Sequence, residues 1–261
     1  MTDVAIIILV GREGRHIGRC LERLRDLNPR QVFVVESQTG DRTHEIAVEC
    51  GAKTVFHAYP GNQAEQFNWA LDNLLVEAPW ILRLDADEYL TDELIAEIKQ
   101  RLPTLPGDID GVILKRRHYF AGGWAKHGTY PVRILRLFRT GKGRYAPNQV
   151  MDERIEVPDR VIEFDKDFVD HTLISMDEWR VKHRDYARRE AQQVVNGEFH
   201  DPRKVAYYKL PPYFRAFAYF CIRYFLKGGF LDGYAGWMWN FWQGLWYRWI
   251  VDREISRSLK S

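Results

Sequence analysis

The chain has 261 residues, 38 of them basic and 36 acidic, which leaves a formal net charge of only +2. This near-neutral balance gives no global attraction to nucleic acid, and the length allows one large domain or a domain with an appendage. The three cysteines, Cys20, Cys50 and Cys221, form no C-x-x-C pair, which argues against a disulfide framework or a zinc site and favours a reducing, cytoplasmic compartment.

Apolar runs alternate with helical patterns over the first hundred residues. Val4–Val10 follows an acidic residue and is only seven residues long, which predicts a buried strand and not a signal peptide. Helical spacing at Ile17–Leu24 and at Ile46–Cys50 predicts two helices, and Val32–Val35 and Lys53–Phe56 are predicted as further strands. This order predicts right-handed βαβ units and a mostly parallel sheet.

A third helix is predicted from Asn62, whose side chain can cap it while Glu65 reaches back to the cap. The buried run Trp80–Leu84 that follows is predicted as a strand, and it leads directly into a group of acidic side chains. The group consists of Asp85, Asp87 and Glu88. Like charges this close repel one another, so a cation is expected beside them.

Oxygen ligands of this kind suit Mg²⁺ or Mn²⁺, which typically bridge to substrate phosphates. In parallel sheets ligands bind outside the carboxyl ends of the strands, where Glu36 and Asp85–Glu88 both fall. The alternative is a solvated loop whose acids begin the next helix, since Asp92 and Glu93 follow Thr91.

Three motifs together carry a resemblance to a known family. They are VVESQTGDRT from Val34 to Thr43, LDADE from Leu84 to Glu88, and EQFNWAL with Gln66 and Asn68. The chain resembles the glycosyltransferase family 2 enzymes of the GT-A fold. The stretch KHGTYPVRILRLFRTGKGRY and the run from Trp179 to Ala191 are similar to the branch that builds bacterial lipopolysaccharide core and exopolysaccharide.

The resemblance implies a nucleotide-sugar donor site. Glu36 stands where the family places an aspartate that contacts the base, and Asp85 would lie near the ribose or a metal-bound water. Arg12 replaces one residue of the family's Asn-Glu pair and either adds charge near the diphosphate or is an exposed loop arginine. The implied donor-binding set is Glu36, Asp41, Gln66, Asn68, Asp85 and Arg12.

The resemblance also implies metal-dependent, inverting sugar transfer, which needs a base to take the acceptor's proton. Asp87 would coordinate the Mg²⁺ or Mn²⁺, with Asp85 beside it, and His171 is either a further ligand or a structural residue. Glu153 matches a carboxylate of a V-H-E motif in the similar branch and is the expected base, with Asp152 close behind. These two acids alternatively pair with basic residues on a surface.

The middle and the end of the chain carry basic and aromatic residues. The segment Gly111–Phe138 is predicted as strands whose basic side chains either meet phosphates or form a solvated sheet face. After Asp177 a helix is predicted, and its side chains near one face are Trp179, His183, Tyr186 and Glu190. Half of all Trp, Tyr and Phe residues lie between Tyr207 and Trp249, which favours a membrane-surface role over a packed helical hairpin.

The sequence as a whole predicts an α/β GT-A fold, Rossmann-like with flanking helices, and a helical appendage. Residues 1–206 form the catalytic domain, divided into a nucleotide-sugar half at 1–110 and an acceptor half at 111–206, and 207–261 form the appendage. The predicted partners are a nucleotide-diphosphate sugar, a saccharide or lipid-linked acceptor and the inner face of the cytoplasmic membrane, with homo-oligomers possible and nucleic acid excluded. The alternatives are a non-catalytic nucleotide-sugar or glycan-binding partner and a sugar nucleotidyltransferase.

Overall fold

The structure, a computed structural model, describes residues 1–38, 40–146, 154–198 and 202–260. They form two compact units, the first made of 1–117 and 131–173 and the second of 118–130 and 174–261. The predicted domain boundaries at 110/111 and 206/207 do not coincide with this division and stay predictions. The α/β sheet with flanking helices, as expected for the GT-A fold, is confirmed.

Four parallel strands open the first unit, in the sheet order β3-β2-β1-β4. They are β1 (Thr2–Val10), β2 (Pro29–Glu36), β3 (Lys53–Phe56) and β4 (Trp80–Asp85). The helices that connect them are α1 (Ile17–Leu24), α2 (Thr43–Glu49) and α3 (Gln63–Asn73). The chain moves outward from β1 to β3 and then returns to the other side of β1, so the strand order reverses between β1 and β4. Ligands of open α/β sheets bind at this kind of switch point.

The sheet continues beyond β4, as expected for the basic and aromatic middle segment. The further members are β8 (Val132–Arg139), β6 (Ile109–Phe120), β11 (Arg160–His171) and β5 (Glu88–Leu90), in that order. The pairings of β4 with β8, of β8 with β6 and of β11 with β5 are antiparallel. Helix α4 (Asp92–Arg101) follows β5, and a short antiparallel pair is formed by β9 (Arg144–Tyr145) and β10 (Ile155–Glu156).

Strand β1 is apolar from Val4 to Val10 because both of its faces are covered. Ile6 and Ile8 pack in the cluster that contains Leu21 of α1, whereas Ile7 packs in the cluster that contains Phe67 of α3. Full burial of one such side chain contributes about 1.5–3 kcal/mol. This two-sided burial explains why the run does not alternate with polar residues.

The second unit is mainly helical. Its elements are β7 (Gly123–Trp124), α5 (Met176–Asn196), α6 (Pro202–Tyr208), α7 (Phe214–Cys221), α8 (Gly233–Trp239) and α9 (Tyr247–Ser258). Ring contacts join Trp179, His183 and Tyr186 along α5, and Glu190 is buried, which confirms the predicted face of this helix. Across the described residues, the structure contains no helix with both the length and the hydropathy needed to span a bilayer.

Candidate functional site

The candidate site lies at the carboxyl ends of β1, β2 and β4. Leu9 of β1 is level with Asp85 of β4, and Val10 is level with Glu36 of β2. Because β1 separates the other two strands, the backbones of Glu36 and Asp85 lie about 10 Å apart, two strand spacings. Their partners on β1 are consecutive, so the two carboxylates leave the sheet on opposite faces.

Three ionisable side chains stabilise the turn after β4. Oε2 of Glu88 accepts a hydrogen bond from the Asp85 backbone N–H at 2.9 Å. Nη2 of Arg136 bridges the acids, at 2.9 Å from Oδ2 of Asp85 and 2.5 Å from Oε1 of Glu88. Glu88 and Arg136 are buried. Glu88 therefore shapes the turn.

The acids of this turn have pKa values shifted in opposite directions. Burial alone would raise the pKa of Asp85, but the charges of Arg83 and Arg136 outweigh it and hold that pKa well below its usual range. Burial raises the pKa of Glu88, and the charge of Asp85 adds to this rise, although Arg136 opposes it. Arg83 and Arg136 therefore supply some of the positive charge that the acidic group was expected to need.

Sequence reasoning missed Arg83 and did not connect Arg136 to the acids. Nη2 of Arg83 lies 3.1 Å from Oδ1 of Asp85. Residues two apart on a strand share a face, so an arginine two positions before Asp85 in a buried strand was a readable signal. The contact from Arg136 was not readable, because it comes from a strand about fifty residues later.

Most of the basic residues of the middle segment pair with acids of β11. Nη2 of Arg117 lies 2.7 Å from Asp167, and Nε of Arg133 lies 2.8 Å from Glu163. Nη1 of Arg116 lies 3.7 Å from the Asp170 carboxylate and 3.8 Å from that of Glu88. In the second unit, His127 pairs with Asp232. These pairs agree with the predicted sheet-face alternative more than with a phosphate-binding row.

The backbones of Asp87 and His171 lie next to each other. The His171 backbone N–H donates to the Asp87 carbonyl at 3.0 Å. Nη1 of Arg19 lies 3.1 Å from Nδ1 of His171, and since an arginine only donates, this nitrogen accepts and Nε2 carries the ring proton. Burial and the Arg19 charge lower the pKa of His171. As a metal ligand, His171 would have to give up the Arg19 contact at Nδ1, either to bind through that nitrogen or to carry the proton there and bind through Nε2.

A metal site made by protein alone is not seen among the described residues. There, no three His, Cys, Asp or Glu side chains are grouped so as to hold an ion, and both oxygens of Asp85 already accept from arginines. Mg²⁺ is often held by one or two carboxylates together with substrate phosphates. The residues present fit an ion of that kind, with half-buried Asp87 as the protein ligand.

Glu36, the predicted base contact, is buried at the end of β2. Its Oε1 accepts a hydrogen bond from Nδ1 of His44, at 2.8 Å, and the His44 ring is largely exposed. Sequence reasoning missed His44, which the first turn of α2 brings back over the strand end. The glutamate side chain, one methylene longer than the aspartate that the family has here, reaches His44 of α2 in this arrangement.

Asp41 fastens the loop after β1 to the start of α2. It accepts hydrogen bonds from the backbone N–H groups of Gly14 and Thr43, each at 3.0 Å, and from the Thr43 hydroxyl at 2.6 Å. Partial burial alone would raise the pKa of Asp41, but these hydrogen bonds and the charge of Arg12 outweigh it and lower that pKa. Arg12 itself is exposed in the fastened loop.

Gln66 and Asn68 use their amides within the protein. Gln66 accepts from Nδ1 of His57 at 2.8 Å and donates to the His57 carbonyl at 3.0 Å. Asn68 donates to the Tyr145 carbonyl at 3.0 Å and accepts from the Tyr145 N–H at 3.1 Å. Asn68 thus binds β9 as a neighbouring strand would. The predicted base residues Asp152 and Glu153 lie outside the described residues.

Comparison of the sequence with known proteins identifies the family of this chain. The model of the family described as Glycosyl transferase family 2 matches residues 5–156. The lipopolysaccharide core biosynthesis glycosyltransferase LpsC of Rhizobium meliloti (strain 1021) is 30% identical over 243 residues, which cover 89% of this chain and 84% of LpsC. An uncharacterized glycosyltransferase of Rickettsia felis is 30% identical over 99 residues, 38% of this chain and 34% of that protein.

The solved structures that this chain is similar to are more distant. S. aureus TarS 1-349 is 14% identical with a TM-score of 0.49, covering 100% of this chain and 91% of that one. Glucosyl-3-phosphoglycerate synthase from Mycobacterium tuberculosis, in complex with Mn²⁺ and uridine-diphosphate-glucose, is 17% identical with a TM-score of 0.36, covering 44% of this chain and 43% of that one. The family model and LpsC therefore carry the assignment: the chain belongs to glycosyl transferase family 2.

Proposed function

We propose that the chain is an inverting, metal-dependent glycosyltransferase. It moves a sugar from a nucleotide-diphosphate donor to a saccharide or lipid-linked acceptor in the synthesis of bacterial lipopolysaccharide or another surface polysaccharide. The observation that carries the proposal is the similarity to LpsC along most of both chains, together with the family match over 5–156. The acidic turn at the switch point between β1 and β4 supports it.

Asp87 is the residue we assign to the divalent ion. It follows β4 at the strand end, and it adjoins the residues of β11 that carry His171. Mg²⁺ or Mn²⁺ held by Asp87 and the donor's phosphate oxygens would stabilise the charge that develops on the leaving diphosphate. Asp85 supports this position from its pairs with Arg83 and Arg136. His171 remains a candidate second ligand.

The remaining donor-site residues act at different distances from the donor. We assign direct contacts to Glu36, which ends β2 at the same sheet edge, and to Arg12, which is exposed beside Asp41. Asp41 fixes the loop that presents Arg12. Gln66 and Asn68 have amides that are paired within the protein, so we assign them a supporting role. The division follows from position at the sheet edge for Glu36, from exposure for Arg12, and from the paired amides for Gln66 and Asn68.

We assign the base to Glu153, with Asp152 as the second candidate. Inverting transfer by direct displacement needs one carboxylate near the acceptor hydroxyl to take its proton. If Glu153 is the base, Glu153→Gln lowers kcat by about a hundredfold or more, and Asp152→Asn lowers it much less. The reverse ranking would transfer the assignment to Asp152.

The proposal also covers where the enzyme meets its acceptor in the cell. An acceptor linked to lipid would place the enzyme at the inner face of the cytoplasmic membrane, and the scattered cysteines agree with a reducing compartment.

Nucleotide-sugars screened with and without Mn²⁺ test the proposal. The readouts are donor hydrolysis and the thermal unfolding midpoint, because a donor at a hundred times its Kd stabilises the folded state by about 2.7 kcal/mol. We expect Asp87→Asn to lower metal-dependent turnover by at least about a hundredfold. Asp92→Asn is the matched control, since Asp92 is an exposed acid at the start of α4.

Two results would count against the proposal. Full metal-dependent turnover by Asp87→Asn would end the metal assignment. Donor binding by the wild-type chain without turnover on any acceptor or water would instead favour the non-catalytic binding partner.

A further inference from the structure

The second unit exposes an unusual number of apolar side chains. Between Leu210 and Trp249, every side chain that is largely exposed is apolar or aromatic, or belongs to proline, except that of Lys227. Six of these exposed side chains, called here the apolar patch, are close in sequence around one turn: Phe225, Leu226, Phe230, Leu231, Tyr234 and Trp237. Leu226 is 81% exposed and Leu231 is 63% exposed. Contiguous exposed patches of this kind mark interaction sites.

The patch lies around a turn, and three of its rings meet the ring of Tyr224. The ring of Tyr224 is 5.1 Å from that of Phe225, 6.3 Å from that of Phe230 and 5.6 Å from that of Trp237. The chain turns between the end of the π-helical segment at Leu226 and the start of α8, with Gly228 at φ 73°. Turns that face water are normally polar, and consecutive exposed apolar residues need a functional reason.

In the segment that carries the apolar patch, the acidic side chains are buried and the exposed charged side chains are basic. The segment 209–252 contains only two acidic residues, Asp232 and Asp252, and the side chains of both are buried. Asp232 accepts from the backbone N–H and from Nδ1 of His127, at 2.6 and 2.5 Å, and Asp252 pairs with Arg215. The exposed charges of the segment are Lys209 and Lys227, so the exposed charge that this segment contributes is positive only.

We propose that the apolar patch inserts into the surface of an anionic phospholipid bilayer. Aromatic and leucine side chains beside lysine are the composition of segments that bury themselves at the headgroup level. Lys227, within the patch, would meet lipid phosphates, and each such lysine adds favourable energy near an anionic surface.

A second copy of the chain suits the patch less well. A symmetric dimer built on it would bring two Lys227 ammonium groups to one interface, with no exposed carboxylate in the segment to compensate them. Protein interfaces also carry a polar rim with hydrogen bonds, whereas apolar side chains enter a bilayer without forming hydrogen bonds. Charge complementarity therefore favours anionic lipid.

The lipid binding rests on exposure and charge alone. Only its consequence, that a lipid-linked acceptor is met at this surface, rests on the proposed function.

Sedimentation of the full chain with vesicles, without donor or acceptor, tests the inference. The vesicles are an equimolar mixture of phosphatidylglycerol and phosphatidylcholine, compared with phosphatidylcholine alone. We expect the double variant Leu226→Ser, Leu231→Ser to bind the anionic vesicles at least about tenfold more weakly, because two exposed side chains lose their burial in lipid. Val181→Ser removes a largely exposed apolar side chain of α5 and should bind like the wild type.

The role of Lys227 has its own readout. Lys227→Glu should weaken binding to the anionic vesicles by about fivefold or more and change binding to phosphatidylcholine much less. Equal losses on both vesicle types would contradict a contact between Lys227 and lipid phosphate.

Other outcomes overturn the inference. Failure of the wild-type chain to sediment with either vesicle is one, and sedimentation of the double variant to the same extent as the wild type is another. A wild-type dimer in sedimentation velocity that the double variant abolishes would make a second copy the occupant. Donor hydrolysis by the wild-type chain is measured separately on the same preparation. A wild-type chain that hydrolyses donor but does not bind vesicles refutes only the lipid surface, and one that binds vesicles but hydrolyses no donor counts only against the proposed transferase.

Discussion

Acidification should weaken the second unit through one buried carboxylate, Glu190 of α5. Its oxygens accept hydrogen bonds from the hydroxyls of Tyr208 and Tyr247, at 2.7 and 2.6 Å, and Nη1 of Arg248 lies at 2.8 Å. Burial alone would raise the pKa of Glu190, but the charges of Arg248 and Lys204 and the two phenols outweigh it. That pKa falls from its ordinary value of 4.5 to about 2.

The sign and size of the effect follow from this shift. The unfolded chain protonates Glu190 near pH 4.5, whereas the folded chain resists protonation until about pH 2. The stabilisation is therefore complete above pH 4.5 and is lost as the pH falls through about 2. At 1.36 kcal/mol per pKa unit, the contribution of Glu190 to the free energy of unfolding is roughly 3 kcal/mol.

Urea unfolding across this pH range measures the effect. Tryptophan fluorescence is a suitable probe, because seven of the nine tryptophans belong to the second unit. Glu190→Gln should lose this contribution to the pH dependence, and at neutral pH it should be less stable by about 3–5 kcal/mol, since Arg248 then lacks its carboxylate. Asp185→Asn, which removes an exposed acid paired with Arg188 on the same helix, should keep the wild-type pH dependence.

The contribution of Glu190 is isolated by comparing the wild type with Glu190→Gln, because the other carboxylates titrate equally in both proteins. If the unfolding free energies of the wild type and of Glu190→Gln fall in parallel between pH 4.5 and about 2, the reasoning from the Glu190 pKa is wrong.

Two further predictions concern the first unit. Asn68→Ala should lower the free energy of unfolding by about 1–3 kcal/mol, because two backbone groups of β9 lose their partner. Asn73→Ala removes one exposed hydrogen bond of the same helix and should lower it much less. Equal losses in the two variants would contradict the role of Asn68. Arg19→Met should raise the pKa of His171 measured by NMR, because the Arg19 charge lowers it. Arg23→Met, one helical turn away, should leave that pKa unchanged, and an unshifted pKa of His171 in Arg19→Met would refute the contact.

Local sequence patterns determined much of the fold. The apolar run of β1 predicted a buried strand, and the structure confirms it, with both faces covered. The predicted cap of α3 is also confirmed, since Asn62 Oδ1 accepts from the Glu65 N–H at 2.7 Å. These features depend on residues a few positions apart, where periodicity and hydrogen-bonding rules apply directly. The order of strands and helices then limited the topology to a few possibilities.

The family was likewise readable from the sequence, because each of its motifs is a short run of consecutive residues. Two of them span the ends of β2 and β4, and the third lies within α3. The match of the family model over 5–156 confirms that resemblance. The roles of individual residues were not readable to the same degree. Metal binding by Asp87, base catalysis by Glu153 or Asp152 and the domain boundary at 206/207 stay predictions.

Only the tertiary structure decided what surrounds the functional residues. Sequence alone presented Asp85 and Glu88 as an uncompensated acidic group, but Arg136, about fifty residues later, lies between them. Arg19 reaches His171 from 152 residues away. Such contacts depend on how strands and helices pack, and no short-range pattern encodes them. The sequence thus determined where acids and histidines stand along the chain, and packing determined which charge each one meets.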